Sequence, residues 1–291
     1  MAPWHLALVT QNHPEGQSSS SVWAGRPPPG VSLLGMRTLR VIGIGPGDPR
    51  QITIQAIDAM QDVEAFLVLD KSASRGNAAV RQSLVGLRRE ICDRYIRSGT
   101  ARFVEIDDPP REQDPADYEA EVRRWHSART TRIEEALTAE VGADGIAAIL
   151  VWGDPALYDS TLRIVDEIRD RGELALNVDV IPGVTSPSAL TAAHQILANR
   201  IGEPIHITTG RRLADTPDGA AANQIVMLDA DCTFLRTASP SDQIWWGAYL
   251  GTPQQILISG TVGEVGRQIA ETRAQAREQH GWIMDVYLLR R

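Results

Sequence analysis

Lysine is almost missing from this chain: of 29 basic residues Lys71 is the single lysine and the rest are arginine. Cysteine is nearly as scarce. The two present, Cys92 and Cys232, lie far apart and match no zinc or redox spacing, which predicts a reduced, cytoplasmic setting. Six histidines are scattered without any ligand pattern, so no metal is expected. Positive charge is short as well. A formal net charge of -8 argues against a duplex nucleic-acid partner, although it leaves room for a local basic pocket. No apolar run is long enough to span a bilayer, and the patch Trp4 to Val9 lacks the basic start of a secretory signal, so no membrane partner is expected.

What the chain does have is bulk: 291 residues, 43% of them hydrophobic, suit about two domains with real cores. Residues 1–36 read as a disordered extension, because Ser18 to Ser21 and Arg26-Pro27-Pro28-Pro29-Gly30 cannot bury enough apolar surface to offset their ordering entropy. Met36, just ahead of the first strand, is a candidate initiator. Beyond it, buried strands alternating with helical patterns predict an N-terminal α/β domain over 37–202. Strands in closer succession predict a C-terminal α/β domain over 203–291, with Asn199 to Pro204 as the linker.

The most informative stretch is Gly145 to Arg171. Gly145 to Trp152 is nearly unbroken apolar sequence, as expected of a strand buried on both faces of a parallel sheet. Gly153-Asp154-Pro155 then turns sharply. Leu157, Thr161, Ile164, Val165 and Ile168 follow at helical spacing until Gly172. Such a junction places backbone N–H groups and a carboxylate at the C-terminal edge of a sheet, where open α/β folds bind ligands. Capping by Asp154 with Pro155 at the first helical position accounts for the same residues.

A first strand, Leu39 to Ile44, runs into Gly45-Pro46-Gly47-Asp48-Pro49. This imitates the start of a dinucleotide fingerprint. Asp48 stands where the last glycine belongs, and two prolines remove donors that a pyrophosphate needs, so the segment reads as a tight turn instead. Glu64 to Leu69 is a second strand ending on Asp70-Lys71, followed by a helix from Asn77 and an arginine cluster of Arg88, Arg89, Arg94 and Arg97. Further on, Val178 to Ile181 reads as another buried strand, ending in PGVTSP. Ser186 and Pro187 there suit the N-cap and first turn of a helix, and Thr185 and Ser186 are read either as caps or as ligand contacts. Strands are expected at Ile205 to Thr209, Gln224 to Leu228, Gln255 to Ser259 and Trp282 to Leu289, with a helix over Val262 to His280.

Taken in order, GPGDP, WGDP, PGVTS, TGR and VML, supported by FLVLDK, LRREICDRYI, WWGAYLGTP and HGWIMDVYLLRR, resemble the tetrapyrrole methylase family over essentially Arg37 to Arg291. The resemblance implies a two-domain α/β fold with S-adenosylmethionine bound in the cleft between domains, and a homodimer. It implies methyl transfer to ring carbon C-1 of precorrin-5 with loss of acetate, in aerobic cobalamin (porphyrin-type) biosynthesis. Carried over residue by residue, it puts cofactor contacts on Pro46, Gly153, Asp154, Leu157, Thr185, Ser186 and Met227. Ala248 is included, although its loop departs from the family's usual form. Arg94, Tyr158, Arg211 and Arg212 are the substrate-binding candidates, since guanidinium groups suit a polycarboxylate. Lys71, with Asp70 beside it, is the catalytic candidate. Its place after a buried strand and its identity in an arginine-rich chain suit gripping a substrate carboxylate or polarising the acetyl carbonyl. Other readings are a family member acting on another precorrin, and a catalytically silent S-adenosylmethionine-binding module.

Overall fold

A computed structural model describes residues 35–70, 78–97, 102–110, 112, 117–281 and 283–291. The expected disordered extension therefore lies outside the described residues apart from its last two positions, and so does Lys71. Leu34–Arg291 forms one compact unit. It opens with β1 (Arg37–Gly43), α1 (Ile54–Ala59), β2 (Ala65–Asp70), α2 (Ala78–Tyr95), β3 (Phe103–Asp107) and α3 (Tyr118–Glu140). Next come β4 (Ile146–Val151), α4 (Thr161–Arg171), β5 (Leu176–Ile181) and α5 (Ser186–His194). The remainder is β6 (His206–Thr209), β7 (Asn223–Met227), α6 (Phe234–Thr237), β8 (Gln243–Ala248), β9 (Ile256–Thr261), α7 (Val262–His280) and β10 (Asp285–Arg290).

The first sheet runs β3-β2-β4-β1-β5 and all its pairings are parallel. Parallel sheets need both faces covered, and the alternation along β1 supplies this. Leu39 and Val41 pack with Ile133, Leu137, Ile164 and Ile168 of α3 and α4, while Ile42 packs with Ala56 and Ile91 of α1 and α2. Because β1 leads away to β2 on one side and β4 to β5 on the other, the order reverses between these two neighbours. Open α/β sheets form their binding crevice at such a switch point.

The second sheet runs β6-β7-β10-β8-β9, antiparallel apart from β6 with β7. One face packs on α7 and α6 through Trp246, Tyr287, Ile269 and Phe234. The other receives α5, whose Leu190 meets Ile225 and Leu288. So α5 leaves the first sheet and docks on the second, and its N-terminus stands between them.

Several expectations need correction. β5 is an edge strand with only Ile181 buried, because nothing pairs beyond it in the first sheet. Gln243–Ala248 is a strand that was not expected, although Ile244, Trp246 and Ala248 alternate into the core. The helix after β4 begins at Thr161, with Ser160 as N-cap, so Asp154 and Pro155 start a turn rather than a helix. On α5 the cap is Thr185, whose side chain accepts from the Ser188 N–H, and Ser186 is already helical.

Candidate functional site

The turns after β1 and β4 meet at the switch point. Gly45 N–H donates to the Gly153 carbonyl at 3.2 Å and Gly153 N–H to the Gly45 carbonyl at 2.9 Å. Glycine is required here for two reasons. Gly153 has φ +69, a left-handed conformation that side chains disfavour. Behind it the ends of β1 and β5 touch, so a Cβ on Gly43 would stand 2.6 Å from the Gly183 nitrogen. One Asp154 oxygen accepts from Ala156 N–H at 2.8 Å and the other from Gly183 N–H at 2.9 Å, which fixes both turns around a common opening.

That opening is a cavity of ≈ 580 Å³, a size that suits a nucleoside-sized ligand. Its first wall comes from the first sheet and α5: Pro46, Gly153, Asp154, Leu157, Thr185 and Ser186. The opposite wall comes from the second sheet, with Met227, Leu228 and Ala230 after β7 and Ile283, Met284 and Asp285 leading into β10. Arg273 and Arg277 of α7 also line it. The walls differ in character. The first offers hydroxyls, a carboxylate and the N-terminus of a helix, and the second is largely apolar with buried charge behind it. Tyr158 and Leu228, at φ 55 and φ 54, are non-glycine lining residues held in the left-handed region, and the Tyr158 hydroxyl donates to the Ile207 carbonyl at 3.3 Å across the cleft. Strained conformations of this kind concentrate at ligand clamps.

Of the eight expected cofactor residues, seven line this cavity. Ala248 does not: it is fully buried in β8, where strand alternation points it into the core, and Leu250 lines the cavity instead. In the strand register Ala248 stands opposite Asp285, which does line it. Among the substrate candidates, Tyr158 reaches the cavity, whereas Arg94, Arg211 and Arg212 are exposed and outside its lining. Arg212 pairs with Asp215 at 3.3 Å. The arginine cluster around Cys92 is dispersed because α2 runs on to Tyr95 and fans it around the helix. Arg88 donates to the Leu150 carbonyl at 3.1 Å, and burial lowers its pKa, whereas Arg89 faces Glu105. Asp70 ends β2 in register with Asp107.

The residues that sequence reasoning missed lie mostly on the second wall. Met284 and Asp285 fall within HGWIMDVYLLRR, which assigns them no role, and they reach the cleft through the pairing of β10 between β7 and β8, while Arg273 reaches it from α7. Among the described residues, no group of three or more His, Cys, Asp or Glu is arranged to hold a metal ion.

Residues 38–266 match the family model described as Tetrapyrrole (Corrin/Porphyrin) Methylases. The chain is 45% identical over 261 residues to precorrin-6A synthase [deacetylating] of Sinorhizobium sp., covering 90% of this chain and 98% of that protein. A solved structure of a protein described as related to cobalamin synthesis (CobF), from Corynebacterium diphtheriae, is similar with a TM-score of 0.75 and 43% identity, over 88% of this chain and 99% of that one. Uroporphyrin-III C-methyltransferase of Thermus thermophilus, solved in complex with S-adenosyl homocysteine, shares the fold at a TM-score of 0.50 and 16% identity, over 87% of this chain and 91% of that one.

Proposed function

Because the chain belongs to the Tetrapyrrole (Corrin/Porphyrin) Methylases and is a homologue of precorrin-6A synthase, we propose that it methylates ring carbon C-1 of precorrin-5 from S-adenosylmethionine, releasing acetate, in aerobic cobalamin biosynthesis. The observation that carries this reading is the convergence of Pro46, Gly153, Asp154, Leu157, Thr185, Ser186 and Met227 on one cavity at the switch point of the first sheet.

The residues present fit such a donor. Hydroxyls of Thr185 and Ser186 and the Asp154 carboxylate suit its amino-acid and ribose groups, while Met227 and Leu228 suit a flat base. The donor supplies an electrophilic methyl group on a sulfonium, so the work of this wall is to hold it in line with the substrate carbon. Release of acetate requires water to add to the acetyl carbonyl. The carbon–carbon bond then breaks, its electron pair returns to the macrocycle, and acetate departs. Lys71 polarises that carbonyl in this reading, with Asp70 beside it, and Arg94, Tyr158, Arg211 and Arg212 receive the substrate's polar periphery.

We further read the protein as a cytoplasmic homodimer without metal, nucleic acid or membrane partner. Support for the dimer is apolar surface: Leu197 is 75% exposed, and Ile201, Ile205, Ile207 and Val180 are exposed as well. Support for a reducing compartment is that both cysteines are buried and free, with Cys92 pushed up to about 12 and Cys232 to about 11 by burial. No helix among the described residues is long and apolar enough to cross a membrane. The function is tested by incubating the purified chain with S-adenosylmethionine and precorrin-5. Methylated product and acetate should appear together in equal amounts, and acetate without methylation, or neither product, would defeat the proposal.

A further inference from the structure

Asp285 opens β10 at the foot of the apolar wall, with a side chain only 8% exposed that nevertheless lines the cavity. Two donors hold it. Arg273 Nε and Trp246 Nε1 each reach Oδ2 at 3.0 Å. Among the described residues these are its side-chain hydrogen bonds, and none of them reaches Oδ1. Arg273 is itself fixed, since its Nη1 donates to the Ala230 carbonyl at 3.0 Å. A carboxylate oxygen that lines a cavity without a donor among the described residues is open to a donor on the ligand.

Which donor follows from the surroundings. Arg273 already neutralises the carboxylate, so a second cation such as a ligand ammonium is poorly matched. A sugar hydroxyl would set a polar, non-planar ring against Met227, Leu228, Ile283 and Met284, a poor match to apolar side chains. A flat aromatic amine donates in the plane of its ring, and the ring suits the apolar side chains. We propose that Asp285 Oδ1 accepts a hydrogen bond from the exocyclic amine of the adenine of S-adenosylmethionine, with Arg273 and Trp246 as the positioning residues that hold it. The assignment rests on the reading of this cleft as the S-adenosylmethionine site. It makes Asp285 the determinant of base specificity and orients the donor, adenine at the second sheet and amino-acid end toward Asp154, Thr185 and Ser186.

The experiment compares, by titration calorimetry on the full chain, S-adenosylhomocysteine with S-inosylhomocysteine, in which a carbonyl replaces the amine. The wild-type protein should bind the inosyl compound more weakly by a factor on the order of 10 to 100, because a carbonyl oxygen then faces the carboxylate. Asp285→Asn keeps an oxygen for Arg273 and Trp246 and turns an amide N–H toward the cavity. Its preference should shrink to near equality or reverse. Equal affinities in the wild-type protein overturn the assignment without recourse to any variant, and so does a folded Asp285→Asn protein that keeps the full preference. Binding of neither compound to the wild-type protein overturns the reading of the cleft itself, and the assignment with it.

Discussion

The Asp154 carboxylate accepts the Gly183 N–H at 2.9 Å, and so ties the turn after β4 to the end of β5 across the intervening β1. One side chain thus sets the width of the crevice floor. Asp154→Ala removes both of its backbone bonds and should cost about 1–3 kcal/mol of stability, along with affinity for S-adenosylhomocysteine. Asp154→Asn keeps an acceptor and should recover part of the stability. Thermal unfolding and calorimetry together check this, and an alanine variant as stable as the wild type would remove the structural role.

Gly153 and Gly183 should respond differently to substitution, although both lie in the same floor. A Cβ on Gly153 would meet only the Val184 carbonyl oxygen at 3.9 Å, so the cost is that of the left-handed backbone, roughly 1–2 kcal/mol. On Gly183 it would lie 2.1 Å from the Gly153 carbonyl oxygen, where backbone must move. Gly153→Val should therefore fold yet bind S-adenosylhomocysteine weakly, its branched side chain entering the cavity, while Gly183→Ala should lose far more in thermal stability. Unchanged affinity in a folded Gly153→Val protein would move the ligand elsewhere.

The first wall of the cleft was legible because its residues are contiguous. A buried parallel strand reads as an apolar run, and the turn that follows carries its own glycine and carboxylate, so β4 and Gly153-Asp154 stand out in the chain. Most of the second wall was not, Met227 of VML excepted. Asp285 looks like a polar start to an ordinary strand, and its neighbours Trp246 and Arg273 lie 39 and 12 residues away, brought to it by antiparallel pairing and by α7. β8 was missed although its alternation was available, since the doubled tryptophan drew attention to a loop motif rather than to period two. The start of α4 misled for a physical reason. Asp154-Pro155 has the chemistry of a helix start, but here the carboxylate caps the turn and the end of β5, and Asp154, Leu157, Tyr158 and Asp159, ahead of Ser160, line the cavity.

His194 predicts a sensitivity to acid. Burial lowers its pKa from 6.5, against the opposing pull of the Trp246 carbonyl that Nε2 contacts at 3.0 Å. The folded imidazole thus stays neutral where the unfolded one begins to take up a proton. Above the unfolded value the group has no effect on stability, and as pH falls below it the unfolded state binds more protons and stability is lost until the folded value is reached. His194→Gln should flatten the fall in Tm as pH drops below the ordinary imidazole value of 6.5. An identical slope in both proteins would assign the acid sensitivity to other groups.

Arg94 and Arg211 lie outside the lining of the donor cavity, so a role in ligand binding would fall on the substrate rather than on the donor. Arg94→Ala or Arg211→Ala should raise KM for precorrin-5 several-fold and leave S-adenosylhomocysteine affinity untouched, the signature of lost uniform substrate binding. Arg212, 77% exposed and paired with Asp215, should matter least of the three. Unaltered kinetics for all three variants would return these arginines to the solvated surface.

Lys71 offers the sharpest test of the chemistry, because the chain elsewhere uses arginine for every side-chain cation other than histidine. It follows Asp70 at the C-terminal end of β2, and strand C-termini carry the ligand contacts of open parallel sheets. A solvated surface position would tolerate arginine, whereas a role at the substrate would depend on the smaller ammonium. An ammonium also offers rotatable donors to a carbonyl oxygen as negative charge develops on it during attack by water. Lys71→Arg keeps the charge and changes the shape. Donor affinity should be unaltered while acetate release from precorrin-5 falls by a factor on the order of 100, as for loss of one oxyanion donor. Measuring methyl transfer and acetate release separately tells which step the ammonium serves. Wild-type rates for both in the arginine variant would show that position 71 requires only a positive charge.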